Sequence, residues 1–328
     1  MLIAFLSFKE TYQETTRIIK IQSLQNAAST SDKLFEVSAN LSELRNITYF
    51  MLYSDQDMLN TLKPRLTESR KISDKTLEEA INSLSQYHFP GLFADIEATK
   101  VSLSKLNHLR TDIDHEMTLP VERRDKAKIE SWYKQHTGLI LQTHTVWIEF
   151  IKYFSNIDPI VALHFRFKHM LAILMEYGDR ERSVIGRLIV ENAAPTPEEQ
   201  ATLLEWHGAT EMGWDRITTL SEQGNLSASV GPYIKDTESH FTNVHDMVKD
   251  MFYIPGAKYH TPYPIGIDLW LEISTQVSDS SEELKNAVLK ETSAYLTHLV
   301  YKAKKGNSNQ YCHYFIVIKP MFIQFLGH

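Results

Sequence analysis

The segment Asp158–Asn192, DPIVALHFRFKHMLAILMEYGDRERSVIGRLIVEN, decides the fold class. Read at intervals of three and four residues it gives Ile160, Leu163, Phe167, Met170, Leu174, Tyr177, Glu181, Val184 and Leu188. That spacing is the buried stripe of an amphipathic helix packed in a bundle. One position breaks it. Glu181 falls where an apolar side chain belongs, with Arg180 and Arg182 on either side. A charge on such a stripe is costly unless it is paired, so the partner of Glu181 is the functional question.

The same periodicity continues in both directions. Upstream, Lys9–Ser54 carries Leu24, Ala27, Leu34, Leu41, Arg45 and Leu52 with no Gly or Pro. It predicts one helix roughly 70 Å long at ~1.5 Å per residue. Further helices are expected over Thr61–Tyr87, from Leu92 to Met117 and from Ile129 to near Asn156, divided by His88–Gly91 and Pro120. Downstream, Thr196 has the side chain of an N-cap, Pro197 sits at the first helical position and Glu199 completes a capping box. The sixth helix then runs to about Gln223 and the seventh begins near Pro232. The loop Tyr253–Pro264 leads into a last helix over Ile265–Lys305.

The expectation is therefore an all-α protein: two four-helix bundles built from about eight antiparallel helices, with long first and last helices. Residues 9–157 would form one module and 158–305 the other, with 306–328 an irregular tail that opens GNSNQ. An internal resemblance supports the division: SELRNITYFML (Ser42–Leu52) is similar to DRERSVIGRLI (Asp179–Ile189), which sets Arg45 opposite Arg182. Met1–Phe8 is apolar but far short of the ~20 residues that span a bilayer. It reads either as the outer end of a transmembrane helix or as an apolar first turn.

Composition narrows the function. The 328 residues are 43% hydrophobic and 23% charged, with a net charge of −7. A fold that neutralises phosphates is normally basic, so nucleic acid is not an expected partner. One cysteine, Cys312, excludes a disulfide framework and a thiolate zinc site. The 14 histidines form no HExxH or His-x3-His pattern, so no metal site is expected. No nucleophile elbow or phosphate-binding glycine loop is present, which predicts no enzyme and no cofactor. Arg45 and Arg110 fall on helix stripes as Glu181 does. Two readings of such arginines stay open: internal ion pairs with neighbouring acids, or guanidinium forks facing a small anion or carboxylate.

Glu176-Tyr177-x-x-Arg180-Glu181-Arg182, the proline-acidic helix start, and His207-Gly208…Trp214-Asp215-Arg216 together carry a family likeness. They resemble the helical extracytoplasmic sensor domains of bacterial transmembrane receptors, of the nitrate/nitrite-sensing or helical bimodular type. The resemblance implies a periplasmic, membrane-tethered homodimer coupled to a chemoreceptor, histidine-kinase or diguanylate-cyclase output. It also implies a ligand bound between helices by Arg45 and Arg182, with Arg180 and Arg110 nearby and Glu181 orienting them, and signalled by helix displacement. The alternative is a non-catalytic, soluble helical scaffold or protein-interaction protein.

Overall fold

In the computed structural model, which describes residues 2–89, 91–155, 157–223, 226–254 and 262–325, there are eight α-helices and no strand among the described residues. They are α1 (Leu2–Tyr53), α2 (Gln56–Leu84), α3 (Leu92–Glu116), α4 (Lys126–Ser155), α5 (Pro159–Glu191), α6 (Pro197–Gln223), α7 (Ser227–Phe252) and α8 (Ile267–Phe325), with a 3-10 turn at Val121–Arg123. The all-α helical bundle is as expected. The backbone of α8 continues through the segment read as an irregular tail, as far as Phe325. Neither Gly306 nor Pro320 ends it. Helix α7 begins five residues ahead of Pro232, so this proline lies inside the helix instead of opening it. Residues 255–261 of the expected Tyr253–Pro264 loop, and residues 326–328 of the expected tail, lie outside the described residues.

Contacts divide the chain into two units, residues 1–29 with 290–328, and residues 30–289. Both expected four-helix modules thus contribute to the second unit, which contains every site described below. Within it α3 packs on α4, α4 on α5, α5 on α6 and α6 on α7.

The helix ends follow local chemistry. Asp158 accepts from the amides of Ile160 and Val161, both at 3.0 Å, with Pro159 at the first helical position. Asn192 closes α5 in the left-handed region at φ 50°, a role that asparagine tolerates. The Thr196–Glu199 capping box is formed reciprocally, at 2.7 and 3.2 Å. The end of α1 is closed from a distance. Arg124 Nη1 donates to the carbonyls of Met51, Leu52 and Ser54 at 3.1, 2.9 and 2.9 Å. A cation there satisfies orphan carbonyls and complements the helix dipole.

Helix α5 is buried around most of its circumference, not along a single stripe. Val161, Phe165, Phe167, Leu171 and Leu174 are all 1% exposed or less. Its charged side chains are consequently buried as well. Lys168, 1% exposed, pairs with Asp32 of α1. Aromatic edges fill the adjoining layer, with Tyr87 centred 5.1 Å from Phe150 and 5.7 Å from Phe154.

Candidate functional site

Helix α5 places two acids five residues apart, Glu176 and Glu181. At ~100° per residue they point about 140° apart, and they enter different surroundings.

Glu176 faces α1 and α4. Its carboxylate accepts from Arg45, from Ser42 and, at 2.7 Å, from Arg180 Nε. Arg45 is fully buried; it also donates to Thr137 Oγ1 at 3.1 Å and lies 5.2 Å from the Tyr133 ring centroid. Burial alone would raise the pKa of Glu176, but Arg45 and Arg180 outweigh it and hold the carboxyl down to about 2. Two guanidiniums therefore share one carboxylate. Arg45 Nε and Arg180 Nη2 are buried with no hydrogen-bond partner among the described residues.

Glu181 faces α6 and α7. It accepts a hydrogen bond from the Tyr253 hydroxyl, and Nδ1 of His207 lies 3.7 Å from its Oε1. The other nitrogen of His207 lies 3.4 Å from Glu211 Oε1. The His245 ring is stacked on that of His207, centroids 3.6 Å apart and planes inclined by 8°. Burial lowers the pKa of His207, but Glu181 and then Glu211 outweigh it and the net shift is upward. That of His245 is lowered, by burial and then by His207. Beside this cluster lies a cavity of about 90 Å³, lined by Gly178, Arg182, Trp214, Phe241 and Trp270 among others.

A third titratable layer, on α4 and α5, is closed. His144 Nε2 hydrogen-bonds Ser38 Oγ at 3.1 Å, and its ring lies 5.3 Å from that of His169. Burial depresses His136 to about 3, His144 to about 4 and His169 to about 3, so all three are neutral.

The predicted site residues separate. Arg45 and Arg180 meet at Glu176, whereas Arg182 pairs with Asp179 and lies 5.3 Å from the Phe241 ring. Arg110 is engaged elsewhere, bidentate on Asp74 at 2.9 and 2.6 Å. Glu181 does not orient the arginines; it turns to Tyr253 and His207. Glu176 was legible, because an acid four residues before Arg180 shares its helix face. The histidine pair was not, because its members come from different helices.

No protein-family model matches this sequence, and no curated protein is significantly similar to it. A solved structure is similar in fold: the NasR transcription antiterminator, with a TM-score of 0.66 at 12% identity, over 92% of this chain and 75% of that one. This corrects the reading as an extracytoplasmic, periplasmic sensor domain of a membrane receptor. The fold is similar to that of the NasR transcription antiterminator, and no helix among the described residues is long and apolar enough to cross a membrane. The chemoreceptor assignment and the membrane-tethered partner fall with it. The exclusion of nucleic acid falls too. It rested on a net charge of −7, and net charge averages the chain without describing any one face.

Proposed function

We propose that this chain is a non-catalytic helical regulatory protein that acts by binding a protein of the transcription apparatus. The observation that carries the reading is its agreement in fold with the NasR transcription antiterminator over 92% of its length. The surface supports a protein partner. On α4, Leu141 and Ile148 are 46% and 39% exposed, in step with exposed Gly138 and Thr145 at alternating intervals of three and four residues. Phe93 at the start of α3 is 76% exposed. Apolar side chains beside small ones let a second helix approach closely.

Crosslinking of the full chain in its host, followed by identification of bound macromolecules, tests this. A transcription protein should be recovered, and should be lost when Leu141→Arg and Ile148→Arg are introduced together. Recovery of RNA alone, or of the same proteins by the double variant, would sink the reading.

A second reading rests on the buried arginines. The likeness of the Glu176–Arg182 motif to nitrate- and nitrite-sensing domains is a proposal about the input to such a regulator. It is favoured by two guanidiniums sharing one carboxylate, with Arg45 Nε and Arg180 Nη2 unpaired among the described residues. Nitrate should raise the melting temperature of the wild type and not of Arg45→Lys, with both proteins equally helical by circular dichroism. No nitrate-dependent shift in wild type would end this second reading while leaving the first intact.

A further inference from the structure

We infer that Glu181, His207 and His245 form a binding site for a divalent transition-metal ion, with zinc the best match to the donor set. The proposal is independent of the macromolecular partner. Its basis is convergence: α5 contributes a carboxylate, α6 and α7 one imidazole each, and one ligand atom from each of the three lies within 4.8 Å of the others. Two imidazoles and a carboxylate suit zinc and its first-row neighbours, and do not suit magnesium or calcium, which take oxygen ligands.

The surroundings have the features such a site needs. His207 points one nitrogen at Glu181 and the other at Glu211, at 3.7 and 3.4 Å. This is the carboxylate–histidine–metal arrangement, in which the outer acid fixes the ring and raises its basicity. The Tyr253 hydroxyl donates to Glu181 and holds that carboxylate in place. His245 Nδ1 is buried with no hydrogen-bond partner among the described residues, which leaves it available to a metal ion. The cavity of about 90 Å³ beside the cluster has room for a water, which needs only ~10–15 Å³. Three protein ligands with such a space alongside leave a fourth position for water or a small ligand.

Metal–ligand bonds of ~2.0–2.2 Å set two ligand atoms no more than about 4.4 Å apart. A pair at the 4.8 Å limit would have to close slightly on binding. The stacked rings must also tilt apart, because one ion cannot lie in two parallel ring planes. Binding would then tie α5, α6 and α7 together and stabilise the folded state by mass action.

The test is a Zn²⁺ titration of the full chain, stripped with chelator, against a chromophoric competitor, with melting temperature as a second readout. One equivalent should bind and raise the melting temperature. His207→Ala and His245→Ala should each lose that equivalent, and Tyr253→Phe should keep the stoichiometry but weaken affinity about 10–100-fold. Co²⁺ should give visible d–d bands that disappear in the same histidine variants. If either alanine variant fails to fold by circular dichroism, Glu181→Gln replaces it: the amide keeps the volume but loses the charge, and should also release the metal. Absence of a bound equivalent in wild type overturns the proposal, leaving a histidine–carboxylate ion pair. So does an equivalent that survives His245→Ala, which would belong to surface histidines.

Discussion

The Glu176 centre and the Glu181 centre lie five residues apart on one helix and differ in almost every physical respect. Glu176 is enclosed by two arginines and a serine, with a side chain 2% exposed. Glu181 meets one phenol and one imidazole beside a cavity, and its imidazole neighbours are only half-buried. The first has an excess of cation and the second an excess of unused lone pairs. A helix buried on several sides can thus carry two unrelated electrostatic problems, each solved by whichever neighbours its face meets.

The comparison can be broken most forcefully by deleting the two acids in turn. Glu176→Ala leaves Arg45 and Arg180 buried without a counterion and should cost about 3–5 kcal/mol. Glu181→Gln keeps an acceptor for Tyr253 and should cost about 1 kcal/mol. Chemical denaturation of both variants measures the contrast; equal losses would show that the two centres are not energetically distinct.

Acid should separate the histidines next. His136, His144 and His169 stay neutral in the folded chain until pH falls to about 3–4, whereas the unfolded chain protonates them near 6.5. The unfolded state then holds more protons, so stability is lost as pH falls through 6.5. The slope approaches about 1.4 kcal/mol per pH unit for each histidine. His207 works in the opposite sense. Its folded pKa is raised, so its contribution is complete below the unfolded value and lost as pH rises through the folded one. Denaturant midpoints from pH 8 to 5 should fall in wild type. In a His136→Asn/His169→Asn variant the fall should be shallower, and a slope unchanged by that double substitution would contradict the closed layer.

A smaller effect probes the cavity wall. A Cβ on Gly178 would overlap Phe241 Cε1, a ring that lines the cavity, so the ring would have to shift. Gly178→Ala should cost about 1–3 kcal/mol by overpacking, whereas Gly208→Ala, whose Cβ meets nothing within 4 Å, should be neutral or stabilising by about 1 kcal/mol. Thermal melts of the pair decide it. The smallest effect belongs to the surface. Arg110→Ala removes an ion pair whose Asp74 partner is about half exposed and should change stability by less than about 1 kcal/mol.

Much of this was determined by the sequence alone. Apolar spacing established helices, Asp158-Pro159 and Thr196-Pro197-x-Glu199 placed two of their starts, and buried arginines announced buried acids. These are local signals, set within one or two turns by steric and hydrogen-bonding rules that do not depend on the rest of the chain. Only the tertiary structure decided which acid met which arginine. It turned Glu181 from the guanidiniums to Tyr253 and His207, sent Arg110 to Asp74, and ran α7 through Pro232. Those outcomes depend on which helices pack against which faces of α5, and packing brings together residues as far apart in the chain as Arg45 and Glu176, or Glu181 and Tyr253. No spacing rule along the chain encodes such pairs, because their partners are chosen by burial across helices.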